Sequence, residues 1–113
     1  MKEIKAYIKK HKLSDVTLAL HHVGELTGMS IVDVRGFGRS RAKKAFKGID
    51  CDPVDYERYT KIEIVCHDNL VGEIVAIIKK EAHTGLKGDG KIYISNIENA
   101  IRIESGEEGD KAV

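Results

Sequence analysis

The stretch Thr84–Ile94 reads Thr-Gly-Leu-Lys-Gly-Asp-Gly-Lys-Ile-Tyr-Ile and holds the densest chemistry in the chain. Glycine lets a backbone adopt φ > 0 and come close to a ligand. Successive backbone N–H groups in such a loop form a concavity that suits an anion. Lys87 and Lys91 add positive charge at its rim. The chemistry is that of a phosphate cradle; the plainer role for the same residues is a tight turn ahead of a strand.

Other reactive side chains are scattered. His11, His21, His22, His67 and His83, with Cys51 and Cys66, supply soft donors, but their spacing matches no zinc pattern, so no metal site is expected. Cys66 falls on the inward face of an alternating segment and reads as a core thiol. Cys51 sits in a stretch without periodicity, and the sequence places no base near it. No Ser-His-Asp, paired-carboxylate or Walker pattern occurs, so no enzyme is expected. A net charge of +1 gives no global field toward nucleic acid or membrane. No apolar run reaches transmembrane length, and the Lys-rich N-terminus has no signal-peptide core, so a cytoplasmic location and reduced thiols are expected.

The 113 residues suffice for one domain, 1–113, with a modest core. Ile4, Ala6 and Ile8 alternate with Lys5 and Tyr7 as in a half-buried strand. Ser14 reads as the N-cap of a helix with Val16, Ala19, Leu20 and Val23 on one face, leaving at Gly24. Ser30 to Val34 is a β-branched second strand. A long loop, about 37–58, follows, with Pro53 inside it. Lys61 to Cys66 alternates again; Asp68 then caps a helix with Leu70, Ile74, Ile77, Ile78 and Ala82 inward, ending at Gly85. Lys91 to Ile97 is the fourth strand. The order βαββαβ predicts an α+β, ferredoxin-like split-βαβ fold, with a four-stranded antiparallel sheet and both helices on one face. The other sheet face is left for something to cover.

Four segments, in order, resemble the PII family of nitrogen-regulatory signal proteins, from Met1 to about Gly109. They are the opening Met-Lys-Glu-Ile-Lys-Ala-Tyr-Ile-Lys, then Val34-Arg35-Gly36-Phe37-Gly38-Arg39, then Thr84 to Tyr93, then Ala100 to Glu107. The third is similar to the family's Thr-Gly-x-x-Gly-Asp-Gly-Lys-Ile-Phe signature, with Tyr for Phe. The resemblance implies a homotrimer whose central lining is the uncovered sheet face. It also implies a non-catalytic sensor without a prosthetic group, binding ATP, ADP or AMP in clefts between subunits, with the role of Mg²⁺ left open. Carried over by motif, Gly88, Asp89, Gly90 and Lys91 form the phosphate loop, and Arg39 and Arg102 bind phosphates. Gly36, Phe37 and Gly38 stand at the root of the long loop; Gly28, Met29, Ser30, Glu63 and Val65 stand where the family contacts the base.

The departures have consequences of their own. Glu104 replaces an arginine near the terminal phosphates and disfavours a triphosphate, unless Arg41, Lys43 or Lys44 compensates. Ser40 replaces the Gln that holds 2-oxoglutarate and its metal, and Tyr59 falls at the far-end lysine, so a weak or absent 2-oxoglutarate response is expected. Cys51 or Asp52 replaces the tyrosine that is uridylylated in many relatives. Arg39, Arg41, Lys43, Lys44 and Lys47 precede Asp50, Asp52, Asp55 and Glu57, a segregated charge pattern suited to a docking arm. The expected partner is a membrane transporter or another regulated protein. Alternatives are a bicarbonate- or metal-responsive regulator of the same kind, or a nucleic-acid-binding ferredoxin-like module, which too few aromatics support.

Overall fold

Alternation of apolar and polar residues builds the sheet. The computed structural model describes residues 1–37 and 56–113. Strand β1, Lys2–Lys9, buries Ile4, Ala6 and Ile8 and turns Glu3, Lys5, Tyr7 and Lys9 to the opposite face. Strand β2 is Ser30–Gly36, β3 is Glu57–Cys66 and β4 is Lys91–Asn96. Their order is β2-β3-β1-β4, with every neighbouring pair antiparallel. Ile4 faces Ile64 on one side and Ile94 on the other, so three strands share one apolar layer.

Helix α1, Leu13–Leu20, and helix α2, Val71–Ala82, close that layer from one side. Val16 and Leu20 of α1, Val23 beyond it, and Ile74, Ile78 and Ala82 of α2 are buried against Ile4, Ile8, Ile62 and Ile64. Burying such a side chain contributes about 1.5–3 kcal/mol, so this single layer dominates stability. The architecture is the α+β, ferredoxin-like βαββαβ expected, with the second sheet face open. Cys66 is buried in the layer, and burial pushes its thiol pKa up. Ile77 packs at the edge of the core, half-buried.

Several boundaries differ from the sequence expectation. A 3₁₀ turn at Lys10–Lys12 starts α1 early, so Ser14 is its second residue and caps nothing. That helix ends at Leu20, well before Gly24. A second 3₁₀ turn, Asp68–Leu70, leads into α2, and Asp68 makes no cap bond. Its carboxylate instead lies 2.9 Å from the N-terminal ammonium, which lowers its pKa. Helix α2 ends at Ala82, with His83 already extended, and not at Gly85. Glu57 and Arg58, expected in the loop, belong to β3, because the ladder continues through Arg35↔Arg58 and Gly36↔Glu57. Strand β4 stops at Asn96; the N–H of Ile97 donates to the carbonyl of Met1 at 3.1 Å.

Candidate functional site

The glycine loop between α2 and β4 is fastened by one carboxylate. Asp89 accepts the backbone N–H of Thr84 at 2.9 Å and of Gly85 at 3.3 Å, and also the Thr84 hydroxyl. Thr84 Oγ1 in turn accepts the N–H of Leu86 at 3.1 Å. Lys9, at the end of β1, reaches in with Nζ 3.1 Å from Thr84 Oγ1 and 3.2 Å from Asp89. His83 Nδ1 is 3.4 Å from the same carboxylate. The Thr84 hydroxyl foremost, then its backbone N–H, hold the Asp89 carboxyl well below the usual carboxylate range.

The glycines meet a steric demand. Gly90 has φ +104°, and a Cβ there would fall 1.7 Å from the Tyr7 carbonyl oxygen. Gly88 has φ +84°, with Tyr59 Oη 3.3 Å from the Cβ position. The loop therefore lies directly on the backbone of β1. The Leu86–Asp89 segment closes a turn, and the N–H groups of Gly88 and Gly90 have no acceptor among the described residues. Asp89 thus acts through its inward carboxylate as the fastener, while the amides around it stay available to an anion. Lys87 and Lys91 are exposed beside them.

Gly36 and Phe37 come to this loop. Together with Glu57, Tyr59, Tyr93 and Gly88–Lys91 they line a cavity of about 620 Å³. Tyr59 donates to Glu57 at 2.7 Å, and Tyr7 meets Tyr93 edge-on, with ring centroids 6.0 Å apart. The residues expected at a base gather elsewhere: Gly28, Met29, Ser30, Glu63 and Val65 line a second cavity of about 710 Å³, with Asn99, Ile101 and the C-terminal Val113. Lys61 Nζ lies 2.8 Å from Glu63 and lowers its pKa by hydrogen bonding. Ser30 pairs with Glu63 and Gly36 with Glu57, so the two ends of β2 are six residues, or about 20 Å, apart. A single copy presents these as two separate cavities.

Arg102 lines neither cavity. It sits in a turn closed by its N–H to Glu107 O and by Gly106 N–H to its own carbonyl, both 2.8 Å. Its guanidinium, half exposed, points along the C-terminus, 3.9 Å from Glu107 and 3.5 Å from the carbonyl of Lys111. Gly38, Arg39, Ser40, Arg41, Lys43, Lys44, Lys47, Cys51 and Asp52 lie outside the described residues. Among the described residues no group of three or more His, Cys, Asp or Glu side chains could hold a metal ion. Sequence reading missed Lys9, which is 75 residues from Thr84; its place at the end of β1 was visible, its contact was not.

Comparison with known proteins gives one consistent result. The family model described as Nitrogen regulatory protein P-II matches residues 1–107. The Nitrogen regulatory protein P-II of Bradyrhizobium diazoefficiens is 45% identical over 114 residues, covering the whole of both chains. Nitrogen regulatory protein P-II 1 of Escherichia coli K12 is 44% identical over the same span. A crystal structure of Arabidopsis thaliana PII bound to citrate superposes with a TM-score of 0.80 at 29% identity, covering 99% of this chain and 91% of that one.

Proposed function

The chain belongs to the nitrogen regulatory protein P-II family, and from that premise we propose that it is a non-catalytic cytoplasmic sensor of adenine nucleotides. The observation that carries this reading is the glycine loop. Its carboxylate is turned inward onto Thr84 and Lys9, and the N–H groups of Gly88 and Gly90 are left without acceptors among the described residues. Such amides beside Lys87 and Lys91 suit a di- or polyphosphate. The second cavity, at Gly28–Ser30 and Glu63–Val65, would take the base. Because the two stand apart in one copy, a nucleotide would bind where the phosphate half of one copy meets the base half of another, in a homotrimer assembled through the open sheet face.

Binding reports something only if it shifts a conformational equilibrium. The segment between β2 and β3 starts and ends at Gly36 and Glu57, which line the phosphate cavity, so it is the proposed output arm. Its partner is a regulated protein, foremost a membrane transporter, and uridylylation plays no part. A chain lacking residues 42–55 should fail to capture that partner from membranes. Equal capture by both forms would remove the arm from the reading.

Isothermal titration with ATP, ADP and AMP, with and without Mg²⁺ and 2-oxoglutarate, tests the sensor directly. ADP or AMP should bind at least as tightly as ATP, and 2-oxoglutarate should add little. Absence of binding by all three at millimolar concentration overturns the reading.

A further inference from the structure

We propose that Lys10, Arg35 and Arg58 form a second anion site, a phosphate clamp at the root of the segment joining β2 to β3. Arg35 and Arg58 are direct partners in the antiparallel register, one step before the final pair Gly36↔Glu57. Directly opposed side chains stand about 5 Å apart at Cβ, and like charges there repel. Three other cations of the sheet lie beside carboxylates: Lys5 is 3.2 Å from Glu3, Lys61 2.8 Å from Glu63 and Lys9 3.2 Å from Asp89. The two arginines have no such partner among the described residues.

Lys10 joins them. It follows Lys9, whose partner in β3 is Tyr59, and so stands beside Arg58 at the end of β1. The three cations line one cavity of about 240 Å³ with Asp33 and Val34. Among the described residues of that lining Asp33 is the one carboxylate; it lies 4.0 Å from Lys10 and is mostly exposed. The described lining, with three cations and one carboxylate, thus carries an excess of two positive charges. Paired guanidinium forks prefer an oxyanion held through several oxygens. A phosphate dianion matches both the excess charge and the donors, whereas a carboxylate leaves one charge uncompensated. A phosphate bridging Arg35 and Arg58 would replace repulsion by attraction at the last pairs of β2 and β3. The cavity shares no residue with the glycine loop, so this site does not depend on the nucleotide reading.

The test is a titration of the full ¹⁵N-labelled chain with sodium phosphate, against sodium acetate and sodium chloride at the same ionic strength and pH. The Nε–Hε signals of Arg35 and Arg58 are followed separately from the amides of Gly88 to Gly90. The arginine signals should shift saturably with phosphate only. Arg58→Gln should weaken that response roughly tenfold or more, the loss of one charge-assisted contact, with the rest of the spectrum unchanged. Arg58→Lys should retain part of it. A phosphate monoester, glycerol phosphate, separates the sources: tighter binding than inorganic phosphate assigns the site to a small phosphorylated metabolite, and weaker binding assigns it to the free ion. Equal, unsaturated shifts with all salts, an unchanged response in Arg58→Gln, or shifts confined to Gly88–Gly90 overturn the proposal.

Discussion

Lowering the pH should loosen the glycine loop before it opens the core. The Asp89 carboxyl is held well below its ordinary range by Thr84, Lys9 and Gly85. A depressed folded pKa stabilises fully above the unfolded value, about 4, and that contribution is lost as pH falls toward the folded value. Asp68 beside the N-terminal ammonium has the same sign. Urea unfolding at several pH values should show stability declining below about pH 4. Asp89→Asn should flatten that decline and weaken nucleotide binding; an unchanged slope would free Asp89 from this role. The glycines allow a sharper contrast. Gly90→Ala should destabilise by more than ~1 kcal/mol, since φ is +104° and the new Cβ would overlap the Tyr7 carbonyl. Gly24→Ala, with nothing within 4 Å, should stay within ~0.5 kcal/mol of the parent. At this scale the sequence displayed the loop's glycines and lysines plainly. It could not display what the Asp89 carboxylate faces, because Lys9 arrives from the far end of the chain.

Elements were legible where burial is periodic. Ile4, Ala6 and Ile8, then Ile62, Ile64 and Cys66, alternate because one face of each strand packs on helices, and both are buried as expected. Ile74 and Ile78 do the same at helical spacing. The ends were less legible. Arg35, Gly36, Glu57 and Arg58 have no apolar alternation, yet pairing across the ladder keeps them in strands. Helix starts were misplaced at Ser14 and Asp68 because 3₁₀ turns precede both helices, and no side-chain cap bond marks either start. The consequence for mutation follows burial. Ile74→Ala should cost ~2–5 kcal/mol in denaturant unfolding, a cavity in the closed layer. Leu18→Ala, on an exposed stretch of α1, should change stability by less than ~0.5 kcal/mol.

The open sheet face carries Glu3, Lys5, Tyr7, Lys61, Glu63 and Tyr93, with Lys5 paired to Glu3 and Lys61 to Glu63 within the copy. Sedimentation should find three copies associated at micromolar concentration; a monomer would contradict the assembly proposed for the nucleotide cleft. Lys61→Glu sets a second acid beside Glu63, 2.8 Å away in the parent pair, and should shift the distribution toward smaller species. The strand order also governs how the chain is made. Of the four strands β1 is synthesised first, yet both its neighbours, β3 and β4, come after it. One edge can pair once Glu57–Cys66 has been released, but the other stays unpaired until Lys91–Asn96 follows. Nascent chains halted before that strand should therefore remain sensitive to protease, and the glycine loop, which rests on Tyr7 and Lys9, should be among the last parts of the molecule to acquire its shape.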